Sequence, residues 1–124
     1  VTLEGAKLAA SAGVDSVGHG VGDALVDKEL TGLMRTNGTA YIGTMAVYEP
    51  QETREFAPGE AAKKNPAERA REAAFAANGA KNPILPYDAR RWDILRANIG
   101  RLKKAGVPIG IGTDAGIAGV YHGA

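Results

Sequence analysis

The chain has 124 residues, enough for one small domain with its own core and well short of the roughly 250 of a complete β/α barrel. Fifteen basic and fourteen acidic residues leave a net charge of +1, which argues against nucleic acid or an anionic membrane as partner, and no apolar run approaches the roughly 18 residues of a membrane span. The absence of cysteine excludes disulfides, thiolate metal sites and cysteine nucleophiles, so any metal must be held by His, Asp or Glu, a donor set of hydrolytic rather than redox chemistry.

Thr2 is placed to cap a first helix over Leu3 to Ala12, rich in alanine and closed by Gly13. A brief strand near 14–19 then delivers His19. Asp23 is placed to cap a second helix whose apolar stripe is Val26, Leu30, Leu33 and Met34, with Asn37-Gly38 as its stop. Residues 39–45 read as a second strand, with Tyr41 and Ile42 supplying β-propensity. The following 46–87 stretch is polar and turn-rich, interrupted by an alanine-rich helix that Asn65-Pro66 would start and Gly79 would close. Asp88 is placed to cap the helix with the clearest stripe, Trp92, Leu95, Ile99 and Leu102, which ends at Gly106. A third strand near 107–113 alternates Val107, Ile109 and Ile111 with small residues and stops at Asp114, flanked by Gly112 and Gly116.

Strands alternating with helices over short connections predict an α/β fold with a parallel sheet, in one domain over 1–124 with an expanded insertion at 46–87. The two histidines and Asp114 each follow a strand end. In a parallel sheet those ends share one rim, where α/β folds place their chemistry. His19 and Asp114 would then stand two strand intervals apart, roughly 10 Å between backbones, and their side chains could converge on metal ions with ligand bonds of about 2 Å. Other readings stay open for each residue. His19 could be a turn residue, Asp114 a helix cap, and His122 a surface residue. The glycines around Gly112 give a third alternative, a weak phosphate-binding loop.

The segment Ala12-Gly-Val-Asp-Ser-Val-Gly-His19-Gly20 resembles the sixth-strand region of the amidohydrolase superfamily, in its imidazolonepropionase-like and Xaa-Pro dipeptidase-like branch. Lys104-Ala-Gly-Val-Pro-Ile-Gly-Ile-Gly-Thr-Asp114-Ala-Gly resembles the eighth strand of that branch, and Val120-Tyr-His122-Gly123 the stretch after it. Residues 39–45 would be strand seven, with Thr44 where the family often has Thr near the strand end. The likeness runs in order along nearly the whole chain, weakest over 46–87. It implies a partial (β/α)8 TIM barrel of about three strands, and a C-terminal piece of a metal-dependent hydrolase acting on carbon–nitrogen bonds of amides, cyclic amides or dipeptides.

Residue by residue, the resemblance implies that His19 binds a divalent metal, usually zinc, in a one- or two-ion centre. Asp114 would contact the metal and the hydrolytic water and carry its proton toward the departing nitrogen. His122 and Thr44 would line the substrate pocket. Two departures stand out. Gly18 occupies the position of a frequent Glu, and the family's first-strand His-x-His pair, fourth-strand Lys or Glu and fifth-strand His have no counterpart in these residues. The expectation is therefore a segment that starts just after strand five, supplies two ligands, is inactive alone and tends to self-associate through uncovered strand edges. The competing expectation is a non-catalytic α/β unit that associates with partners.

Overall fold

Thr2 caps the first helix as its side chain predicts: its Oγ1 accepts the Gly5 N–H at 3.1 Å. The structure, a computed structural model, describes residues 1–49, 66–67, 70, 74, 89–116 and 120. Its elements are α1 (Leu3–Ser11), β1 (Ser16–Gly18), α2 (Lys28–Asn37), β2 (Ala40–Gly43), α3 (Met45–Tyr48), α4 (Ala89–Lys104) and β3 (Ile109–Ile111). Pro66, Ala67, Ala70 and Ala74 are helical, in line with the alanine-rich helix expected there; the Asp88 cap lies outside the described residues, as does His122.

The three strands form one parallel sheet in the order β1-β2-β3, with Val17 beside Tyr41 and Tyr41 beside Ile109. The fold is α/β, with helices flanking this sheet. Each strand starts later than its apolar pattern suggests, and the cause is the same three times. Gly13, Gly38 and Gly106 adopt left-handed φ of 76°, 68° and 79°. The N–H of the next residue then reaches five positions back into the preceding helix: Val14 to the Ala9 carbonyl, Thr39 to Met34 and Val107 to Leu102. This is the Schellman closure, which satisfies helix carbonyls that would otherwise lack donors. The residue expected to open each strand therefore finishes a helix instead.

A second difference concerns α2. Its cap is Asp27, whose Oδ1 accepts the Leu30 N–H at 2.9 Å, whereas Asp23 Oδ1 accepts the Leu3 N–H at 2.9 Å and so serves α1. Side chains from other elements hold the intervening backbone in a loop, so the helix waits for the next acid. Lys7 on α1 fixes this corner through carboxylates at 2.7 Å (Glu29), 2.9 Å (Asp27) and 3.3 Å (Glu4). Those three partners, Glu29 foremost, hold its ammonium above the usual lysine range.

Val17 and Tyr41 point to the helix-covered side of the sheet and join Ala6, Ala10, Val21, Val26, Leu30, Met34, Leu102 and Val107 in one core. The predicted stripes face it: Leu33 and Ile99 pack at its margin. Ser16, Gly18, Ala40, Ile42 and Gly110 stand on the other side, in register across the three strands. Ile109 and Ile111 share the helix side with Tyr41 and Gly43, yet Ile111 is 95% exposed. Among the described residues no helix is long and apolar enough to cross a membrane.

The chain forms two compact units. Val1–Met45 with Asp88–Thr113 contains the whole sheet; Ala46–Tyr87 with Asp114–Ala124 is the other.

Candidate site at the C-terminal ends of the strands

His19 is the residue after β1 and still belongs to the sheet by its backbone, since its N–H donates to the Ile42 carbonyl at 3.1 Å. The chain then breaks direction. His19 has φ 61° and Gly20 φ 38°, two successive left-handed residues. Gly20 permits this because nothing larger fits: a Cβ there would lie 2.5 Å from Leu95 Cδ2 and 2.8 Å from the Tyr41 hydroxyl. The break turns the imidazole to the end of β2, where His19 Nδ1 lies 3.1 Å from Thr44 Oγ1. Thr44, the residue after β2, is buried.

That contact has chemical content. With Nδ1 protonated and donating to the threonine hydroxyl, the ring lone pair resides on Nε2, the tautomer in which an imidazole ligates a metal through that nitrogen. Thr44, expected to line a substrate pocket, has its hydroxyl against the histidine.

Asp114 follows β3 by three residues, is exposed, and has φ 54°. It belongs to the second unit, whereas His19, Thr44 and the sheet belong to the first. Among the described residues, His19 and Asp114 are the two non-glycine positions with positive φ. A left-handed backbone is uncommon outside glycine, although Asp and His tolerate it better than most. Such positions cost of order 1–3 kcal/mol and cluster at functional sites.

No three His, Asp or Glu side chains gather into a potential metal cage among the described residues. The chain matches no family model, no curated protein and no solved structure. The phosphate alternative loses two of its donors. The Gly112 N–H is directed to the Gly43 carbonyl at 3.4 Å and the Gly116 N–H to the Val120 carbonyl at 3.0 Å, so neither is available to cradle an anion.

Two residues of the site's framework carry no sequence motif. The Tyr41 hydroxyl accepts the Val21 N–H at 2.9 Å, and the fully buried Asn98 holds three backbone groups of the loop after His19. Asn98 does have a signal. It sits three positions after Leu95 and four before Leu102, squarely on the apolar stripe of α4, where an amide has no place unless it is hydrogen-bonded.

Proposed function

We propose that this chain is the strand-six-to-eight segment of a (β/α)8 barrel in a metal-dependent hydrolase of the amidohydrolase superfamily, acting on amide, cyclic amide or dipeptide C–N bonds. The observation that carries the reading is the shared left-handed backbone at His19 and Asp114, the two residues singled out by motif. Support also comes from the parallel order β1-β2-β3, which matches consecutive barrel strands, and from the Thr44 contact, which accommodates the His19 tautomer that ligates through Nε2.

The donors fit a divalent cation such as zinc in kind: an imidazole nitrogen with a fixed ring and a carboxylate. In number they fall short, because catalytic zinc sites take three protein ligands. One or two bound cations would lower the pKa of a water and polarise the scissile carbonyl. His19 would hold a cation through Nε2 while Thr44 keeps the ring from rotating. The Asp114 carboxylate would hold a cation through one oxygen, accept a proton on the other and deliver it to the leaving nitrogen.

Zinc titrated into the chain while the imidazole signals are followed tests the reading. The expected result is weak binding that is lost in His19→Ala and reduced in Asp114→Asn, with no turnover of amide or dipeptide substrates by the zinc-loaded chain. Binding that ignores both substitutions would sink the metal assignment, and multiple turnover would sink the view that further ligands are required.

A non-catalytic association unit is the second reading, favoured by the exposure of Ile111 at a strand that pairs, among the described residues, on one side only. It expects self-association that neither His19→Ala nor Asp114→Asn alters.

A further inference from the structure

The loop Gly20–Val26 contains no helix or strand, yet side chains from two elements secure its backbone. The Tyr41 hydroxyl of β2 accepts the Val21 N–H at 2.9 Å. From α4, Asn98 Nδ2 donates to the Val21 and Ala24 carbonyls, both at 2.9 Å, and Asn98 Oδ1 accepts the Val26 N–H at 2.8 Å. Arg101 Nη1 adds a bond to the Val26 carbonyl at 3.2 Å. Asn98 thus places both amide hydrogens and its oxygen on one loop, inside a core where an unpaired amide would be strongly unfavourable. A leucine in its place would extend the apolar stripe of α4 but leave three loop groups without partners.

We infer that Tyr41 and Asn98 are positioning residues for His19, an inference that rests on the reading of His19 as a ligand. Tyr41 acts at two points. Its hydroxyl holds Val21, and together with Leu95 it closes on Gly20, leaving room for no side chain. Val21 is bonded by both residues, through its N–H to Tyr41 and through its carbonyl to Asn98. With Val21 fixed on one side and the His19 N–H fixed to Ile42 on the other, the turn at 19–20 has little freedom, and the imidazole is delivered to Thr44. Orientation of this kind is what outer partners of metal-ligating histidines supply, and losing one typically weakens metal binding 10–100-fold.

The test uses the full chain labelled with nitrogen-15 and reads imidazole tautomers at a pH where the ring is neutral, with His19→Asn assigning the signals against His122. The wild-type ring is expected in the Nδ1–H form. Tyr41→Phe and Asn98→Leu are expected to give a mixture of tautomers and to raise the zinc concentration needed for half-shift of the ring signals about tenfold. Thr44→Ser retains the single tautomer; Thr44→Val loses it. Asn37→Ala removes a bond from α2 to the Ala10 carbonyl of α1, outside the 19–26 loop, and is expected to lower stability while leaving the His19 signals unmoved. Wild-type ring signals and a wild-type zinc midpoint in folded Tyr41→Phe would overturn the inference, and that variant decides the matter if Asn98→Leu fails to fold. Zinc that leaves the wild-type ring unmoved would overturn the ligand reading instead, a separate result because the tautomer measurement needs no metal.

Discussion

Gly20 and Gly38 both have left-handed backbones, and comparing them separates two costs that are often merged. At Gly38 a Cβ would meet nothing within 4 Å, so an alanine bears only the conformational penalty, about 1 kcal/mol. At Gly20 the same penalty is joined by overlap with Leu95 and Tyr41, and overpacking adds about 1–3 kcal/mol. Gly20→Ala is therefore expected to lower the urea midpoint clearly more than Gly38→Ala; equal losses would show that Leu95 and Tyr41 yield without strain. The motif around His19 marked Gly20 as part of a pattern, but its reason lies in side chains from two distant elements. His19 itself was legible from its place after an apolar run. Its contact with Thr44 was not, because register between β1 and β2 decides which side chains meet.

At the scale of elements, α2 is anchored by its cap. The Leu30 N–H and then Lys7 hold the Asp27 carboxyl below its ordinary value of 3.8. A carboxyl whose pKa is depressed on folding stabilises the fold above its unfolded value, and that contribution is lost as pH falls through the lower folded value. Asp27→Ala is expected to cost about 1 kcal/mol in urea unfolding near neutral pH. The gap between the two proteins should narrow below pH about 4; a gap of constant size down to pH 3 would show that the charge is irrelevant and only the cap's shape matters. Helix α1 was readable from its capping residue, and α2 and α4 from their 3.6-residue stripes. The starts of the strands were not, since the Val14, Thr39 and Val107 amides complete Schellman closures that apolar patterning does not reveal. Asp23 was misplaced as the α2 cap because two acids within reach of one helix start look alike until the loop between them is fixed.

Across the whole molecule, the sheet is covered on its Val17–Tyr41 side and its outer strands pair, among the described residues, only with β2. Edges and uncovered apolar groups of this kind promote association. Ile111→Lys is expected to leave stability within about 0.5 kcal/mol, as for other exposed substitutions, while reducing the average mass seen in sedimentation at rising concentration. An unchanged mass distribution would remove β3 from the association surface. The α/β class was legible from the alternation of periodicities, because each element carries its own pattern. A closed barrel is a property of strands and curvature that three strands alone do not express.

The Asn98 bonds have a further consequence for how the molecule comes into being. They join residues 72, 74 and 77 positions apart, so the loop beside His19 is stabilised by a segment synthesised long after it. Strands β1 and β2 with α1 and α2 lie within the first 43 residues and can pair early through short connections. The Val21, Ala24 and Val26 carbonyls and the Val26 amide gain their α4 partners only when α4 docks, after a large loop has closed at an entropy cost that grows slowly with its length. A nascent chain interrupted between β2 and α4 would thus hold the turn at His19 without the Asn98 bonds that fix the loop after it.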